Sequence, residues 1–286
     1  MTPVWVLARY TMTECSRRRL FLVVPAITVI FLALYAIGVH FAFLAASGTT
    51  EQAGGGLVDV TSLVGSTLVG LAMFACLFFG AVLSVFLTFN TVRGDAETGL
   101  LQTLVVRPVG RRNVLIGRFL GAVILCGSYV FFVYLAAVAI TGLIGGWWPR
   151  PLALPGLQLV AGVVVITALS ILGSVFLTTI PNGIAILMLY LGGLLGGLLK
   201  QIGDALNLPK LQGTGKAIAY AVPFEALYQA GLNSLTSGVT GLARVIVRLG
   251  PFGGAEPGGT WLWPYAAAYV LVVLGVAVWG FNRRDL

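Results

Sequence analysis

The sequence predicts an all-α polytopic membrane protein, and three observations carry that prediction. Of its 286 residues, 58% are apolar and 9% charged, against about 45–50% and about 25% in ordinary globular proteins. Six stretches, about 20–46, 63–90, 119–144, 157–180, 183–199 and 261–281, contain no Asp, Glu, Lys or Arg. Each approaches the roughly 20 apolar residues that carry a helix across a hydrocarbon core about 30 Å thick. The 38 glycines suit helices packed backbone to backbone in lipid. A water-soluble fold is excluded by the shortage of charge. Helix is the expected form because a backbone amide left unpaired in lipid costs several kcal/mol.

The chain opens with an amphipathic segment. Val4, Leu7, Ala8 and Met12 share one side, and Arg9, Arg17, Arg18 and Arg19 can reach lipid headgroups. This pattern predicts an N-terminal helix lying in the membrane interface, as an anionic-lipid anchor or as a connecting helix. The basic start is too long for a signal-peptide leader and no small-residue cleavage pattern follows it, so the first span is expected to be retained. His40, near the far end of that span, reads as an interfacial histidine rather than a ligand. On the second span, Phe78, Phe79, Phe86 and Phe89 offer either a greasy translocation path or a lipid-facing surface.

The polar link at 91–118 is the informative one. Asp95 is a good N-cap, Glu97 puts negative charge where the helix dipole favours it, and Pro108 biases Arg107 out of the helical region. A short helix over about 96–106 follows. Leu100, Leu101, Leu104 and Val105 give it an apolar face that either docks on a partner or lies on the membrane.

After the third span, the fourth and fifth are separated only by Pro181, Asn182 and Gly183, which predict a tight helical hairpin. The fifth span places Gly192 with Gly196 and Gly193 with Gly197, a spacing that lets backbones approach closely, within one bundle or across a homodimer. The long link at 200–260 contains an apolar run, 217–231, broken by Pro223 and carrying Glu225, and then a stripe of Val239, Leu242, Val245, Ile246 and Leu249. Two short re-entrant or interfacial helices are expected there rather than a seventh span. The sixth span closes the bundle.

With an even number of spans both termini share one side. That side holds eleven basic residues (Arg9, Arg17, Arg18, Arg19, Arg93, Arg107, Arg111, Arg112, Arg118, Arg283, Arg284), and the other holds six (Arg150, Lys200, Lys210, Lys216, Arg244, Arg248). The excess of cations therefore reads as orientation, termini cytoplasmic, before it suggests nucleic acid. Three unpaired cysteines and one histidine argue against a disulfide framework or a metal centre. No phosphate loop is present. Gly213-Thr-Gly-Lys216 comes nearest, but Lys210 stands in place of the first glycine and Ala217 in place of the Mg-binding hydroxyl. Charges inside the spans, which mark ion-coupled transporters, are essentially absent.

At Asp95, Glu97, Thr98-Gly99-Leu100, Leu104, Pro108-Val109-Gly110-Arg111 and Gly117-Arg118, the sequence resembles the ABC-2 type permease family, the membrane subunits of bacterial ATP-binding-cassette exporters. The amphipathic start and the six-span layout extend the likeness, and the family's Gly-Thr order is inverted here to Thr98-Gly99. The resemblance implies that Arg93, Asp95, Glu97, Gly99, Leu100, Leu104, Pro108 and Arg111 form a coupling helix that docks on an ATPase. It also implies a homodimer in the cytoplasmic membrane working with two copies of that ATPase, which holds the ATP and Mg. This chain would bind no cofactor and catalyse nothing itself. An intramembrane lipid-modifying enzyme and a non-transporting scaffold are the competing readings, and the first lacks a polar catalytic cluster.

Overall fold

The structure, a computed structural model, describes residues 3–17, 19–52, 60–88, 110–238 and 256–283. Every regular element among them is helical. In chain order these are α1 (Pro3–Arg17), α2 (Arg19–Gln52), α3 (Val60–Thr88), α4 (Arg111–Gly145), α5 (Ala153–Phe176), α6 (Thr179–Ala205), α7 (Pro209–Ala221), α8 (Phe224–Leu235) with a short 3-10 turn, and α9 (Leu262–Asn282). Six of them, α2 to α6 and α9, are long and apolar enough to cross a membrane, so the six-span, all-α expectation holds.

The α3, α4 and α5 helices pack against one another at the centre, and the remaining spans flank them. Small residues make the close approaches. A Cβ added at Gly80 would run into Val130 and Val163, so glycine is what lets α3 seat against both neighbours. Polar side chains also cross the bundle. The Ser84 and Thr167 hydroxyls lie 2.8 Å apart, Thr88 and Ser170 2.6 Å apart, and Tyr35 and Thr141 2.7 Å apart. In an apolar surround such pairs satisfy hydroxyls that have no water to turn to. The α2 and α9 helices turn large side chains outward, among them Ile30, Leu34, Phe41, Leu271 and Val272.

Tryptophans sit at the span ends, with Trp147 and Trp148 after α4 and Trp261 and Trp263 at the start of α9, as expected where apolar rings meet headgroups. At the other end the Arg283 guanidinium lies over the Trp279 ring, 4.2 Å from its centroid, a cation–π contact at the interface.

Several boundaries differ from the sequence reading: α4 begins at Arg111 rather than 119, taking in the end of the expected 91–118 link, and α5 begins at Ala153 rather than 157. The α5–α6 turn falls at Leu177 and Thr178, not at 181–183; Pro181 lies in the first turn of α6, where its missing N–H is one that no helix satisfies. Asn182 instead donates from Nδ2 to the Ser170 carbonyl at 3.0 Å, bracing α6 on α5. The fifth span also runs past 199 to Ala205, since Lys200 and Asp204 stand at its polar end.

In the long link, the break at Pro223 is where the sequence placed it: Pro223 caps α8. The α7 helix folds back along α6 through a turn in which Asn207 takes a left-handed φ of 52°, a conformation asparagine tolerates. Only Gly215 of α7 is buried, whereas nine residues of α8 are. Accordingly α8 is packed into the bundle against α5, and α7 lies on its outside along α6. Ser234 of α8 donates to Gln158 Oε1 of α5 at 2.9 Å. The expected stripe at 239–249 lies outside the described residues.

Candidate functional sites and family membership

The amphipathic start of the chain does form a helix. Ala8 is fully buried and Thr11 nearly so, while Trp5, Val6 and Tyr10 are exposed. The buried side rests on α4, where a Cβ at Gly121 would lie 2.9 Å from both the Ala8 carbonyl oxygen and Thr11 Cβ. Arg111 opens α4, and its backbone follows Gly110, whose carbonyl accepts from Asn113 N–H at 2.8 Å. The α1 helix and the exit of the 91–118 link are therefore joined through the first turns of α4. Arg93, Asp95, Glu97, Gly99, Leu100, Leu104 and Pro108 lie outside the described residues.

The glycine face of α6 is occupied from within the chain. A Cβ at Gly193 would lie 2.6 Å from the Phe224 ring of α8; at Gly196 it would strike Ile218 of α7, and at Gly197 the carboxylate of Glu225. At these three positions α7 and α8 lie on that face, which is the packing within one bundle that the spacing allowed. Gly192 differs, with nothing within 4 Å of its Cβ position.

Of the phenylalanines, Phe78 and Phe86 are exposed and Phe79 partly so, and Phe89 lies outside the described residues. Phe79 meets Phe31 of α2 edge-on with centroids 5.5 Å apart. Phe78 contacts Tyr190 of α6 at 6.2 Å, and Tyr190 stacks on Phe224 at 5.3 Å. An aromatic seam therefore runs from α2 across α3 to α6 and α8. His40 is exposed, as the interfacial reading expects, and the Gly213–Lys216 segment is helical within α7.

Sequence reasoning used Glu225 only as a mark against a seventh span. The structure buries it to 4% exposure. Its carboxylate accepts from Gln229 Nε2 at 2.9 Å, and burial pushes its pKa up to about 6, opposed by that bond and by the Lys200 charge. The signal available was local, in that Glu225 and Gln229 stand four apart on one helical face. Among the described residues no three His, Cys, Asp or Glu gather as metal ligands.

A bundle with six helices long and apolar enough to cross a membrane, and an amphipathic helix leading into it, defines a polytopic α-helical membrane protein. More specifically, the family model described as ABC-2 family transporter protein matches residues 5–286, and the chain belongs to that family. It is also similar to a probable ABC transporter permease protein, NosY, of Stutzerimonas stutzeri, 32% identical over 147 residues, which are 51% of this chain and 48% of that protein. The NosY of Pseudomonas aeruginosa is 32% identical over 145 residues, 50% of this chain and 48% of that protein. The matched stretch thus spans about half the length of these relatives.

Proposed function

We propose that this chain is the membrane-spanning permease subunit of an ATP-binding-cassette exporter. It works as a homodimer in the cytoplasmic membrane, both termini inside, with two copies of a separate ATPase subunit that binds ATP and Mg. The observation that carries this reading is the family match over residues 5–286 on a bundle with six candidate spans.

In this reading the working cycle runs as follows. ATP binding closes the two ATPases, and the helix around Glu97 moves with them. Its exit is continuous with α4, a helix of 35 residues, so displacement passes along α4 to the far side of the membrane. Because α1 rests on α4 at Gly121, the interfacial helix moves with it. The linkage between nucleotide and cargo sites is a free energy and acts in both directions. Phe78, Phe79, Phe86 and Phe89 of the second span then offer the cargo an apolar wall.

The test combines co-purification with ATP hydrolysis. Glu97→Lys places a cation at a helix N-terminus, where the dipole disfavours it by about 0.3–1 kcal/mol, and also reverses charge at the docking contact. Leu104→Asp charges the apolar face. Both variants are expected to insert normally yet lose the ATPase or its stimulation by cargo, while a change at Thr49 does neither. Full binding and stimulation in both variants overturns the coupling role of this loop.

A further inference from the structure

At the end of the bundle opposite the 89–110 link, a cavity of about 390 Å³ opens between α6, α8 and the segment leading into α9. That size admits a small molecule. Its polar side chains are Lys200, Gln201 and Asp204 of α6, Glu225 and Gln229 of α8, and Glu256 ahead of α9, with Gly197 at the back. Gly197 is what makes room, since any Cβ there would occupy the place of the Glu225 carboxylate.

The charges in this cavity do not balance. Three carboxylates face one ammonium, and Lys200 is already ion-paired with Glu256. Among the described residues no second cation lines the cavity to match Glu225 and Asp204. The hydrogen bonds do not balance either. Gln229, 8% exposed, gives its Nε2 to Glu225, and its Oε1 is buried with no donor among the described residues. A buried acceptor left unmatched costs free energy, so an orphan beside an uncompensated carboxylate points to a missing donor that carries positive charge. A bare metal ion is a poor candidate, because no metal-ligand cluster exists among the described residues. A primary ammonium fits, with three donors on one small cation.

We propose that this cavity binds a primary ammonium group, held by the Glu225 carboxylate and the Gln229 amide oxygen, with Asp204 adding negative charge at the rim. The group arrives on a small free amine or on the ethanolamine headgroup of a lipid. Binding requires Glu225 ionised. The titratable groups around it are Lys200 and Asp204 from α6, Glu256 from the α9 lead-in, Tyr228 on α8 and Tyr190 of α6 on the apolar side, while α7 contributes only Ala219 to the lining. Affinity therefore rises as pH passes upward through about 6.

The test needs no ATPase, so its outcome is separate from that of the permease reading. The full chain in phosphatidylglycerol nanodiscs is titrated calorimetrically with n-butylammonium, n-butanol and butyrate. Saturable binding of the ammonium alone is expected, weakened at least about tenfold by Glu225→Gln or Gln229→Leu and less by the exposed change Asp204→Asn. In a second arm, native mass spectrometry compares retention of phosphatidylethanolamine and phosphatidylglycerol. Glu225-dependent retention of the former assigns the lipid source, and amine binding without lipid preference assigns the free one. The proposal is overturned if neither amine source binds, if butanol or butyrate binds equally well, or if the variants bind like the wild type.

Discussion

Burying Glu225 in the first turn of α8 sets opposing effects against each other. The helix dipole and Gln229 favour the ionised form, yet desolvation prevails and the pKa stands at about 6, above the ordinary 4.5. A carboxyl whose folded pKa exceeds its unfolded value contributes stability that is complete below pH 4.5 and is lost as pH rises through about 6. In amine-free nanodiscs the unfolding midpoint of the wild type should fall across that window, and Glu225→Gln should flatten the slope; parallel profiles would show that the acid is not buried as described. The glycines of α6 separate in the same way. Gly193→Leu must displace Phe224 and should cost roughly 1–3 kcal/mol by overpacking, whereas Gly192→Leu, which meets open space, should be nearly neutral. Thermal melts of the two variants decide this, and equal losses would mean that Gly192 too is enclosed, by a second copy. Residue type and spacing made the glycines legible in the sequence but not their partner, because a close-packing motif states that something approaches and not what. Glu225 was legible only as an acid out of place, since its burial depends on α6 arriving from 28 residues upstream.

Elements were legible where a breaker coincides with a change of environment. Pro223 ends one apolar run and starts α8. Pro181 misled, because a proline in the first turn of a helix looks from sequence like a proline in the turn before it. The α1 helix was legible as amphipathic, but its apolar side is taken up by α4 more than by lipid. Gly121→Val puts side-chain atoms into the Ala8 carbonyl and Thr11, so it should loosen α1 specifically. Hydrogen exchange over residues 3–17 is expected to rise at least about fivefold, near 1 kcal/mol of local stability, with α5 unchanged. Unaltered exchange in α1 would place its hold on the bundle elsewhere.

At the scale of the whole molecule, the number of spans was legible and their arrangement was not. Lipid tails are as apolar as a protein core, so a helix at the centre, such as α5, and one at the edge, such as α9, share the same composition and neither shows a strong amphipathic period. The central place of α3, α4 and α5 comes from glycines and hydroxyls that meet across helices far apart in the chain. Orientation rests on the eleven-to-six division of basic residues. In a Cys15→Ser background, cysteines introduced at Thr2 and Asp285 should react with an impermeant maleimide only after the membrane is opened from the cytoplasmic side; labelling of the Asp285 site from outside would require another crossing within residues 200–260.

The hydroxyl pairs between α3 and α5 also impose an order on synthesis. Ser84 and Thr88 leave the ribosome about 80 residues ahead of Thr167 and Ser170, with all of α4 between them. During that interval Thr88 has a partner at hand in the Ser84 carbonyl, 2.7 Å away within its own helix, so α3 can wait in lipid as an inserted but loosely held span. Docking of α3 is completed when α5 arrives, and Asn182 then fastens α6 to the Ser170 carbonyl on that same helix. A nascent chain arrested before residue 167 is therefore expected to hold three spans inserted yet remain open to the membrane's quality-control proteases, with resistance gained in one step on release.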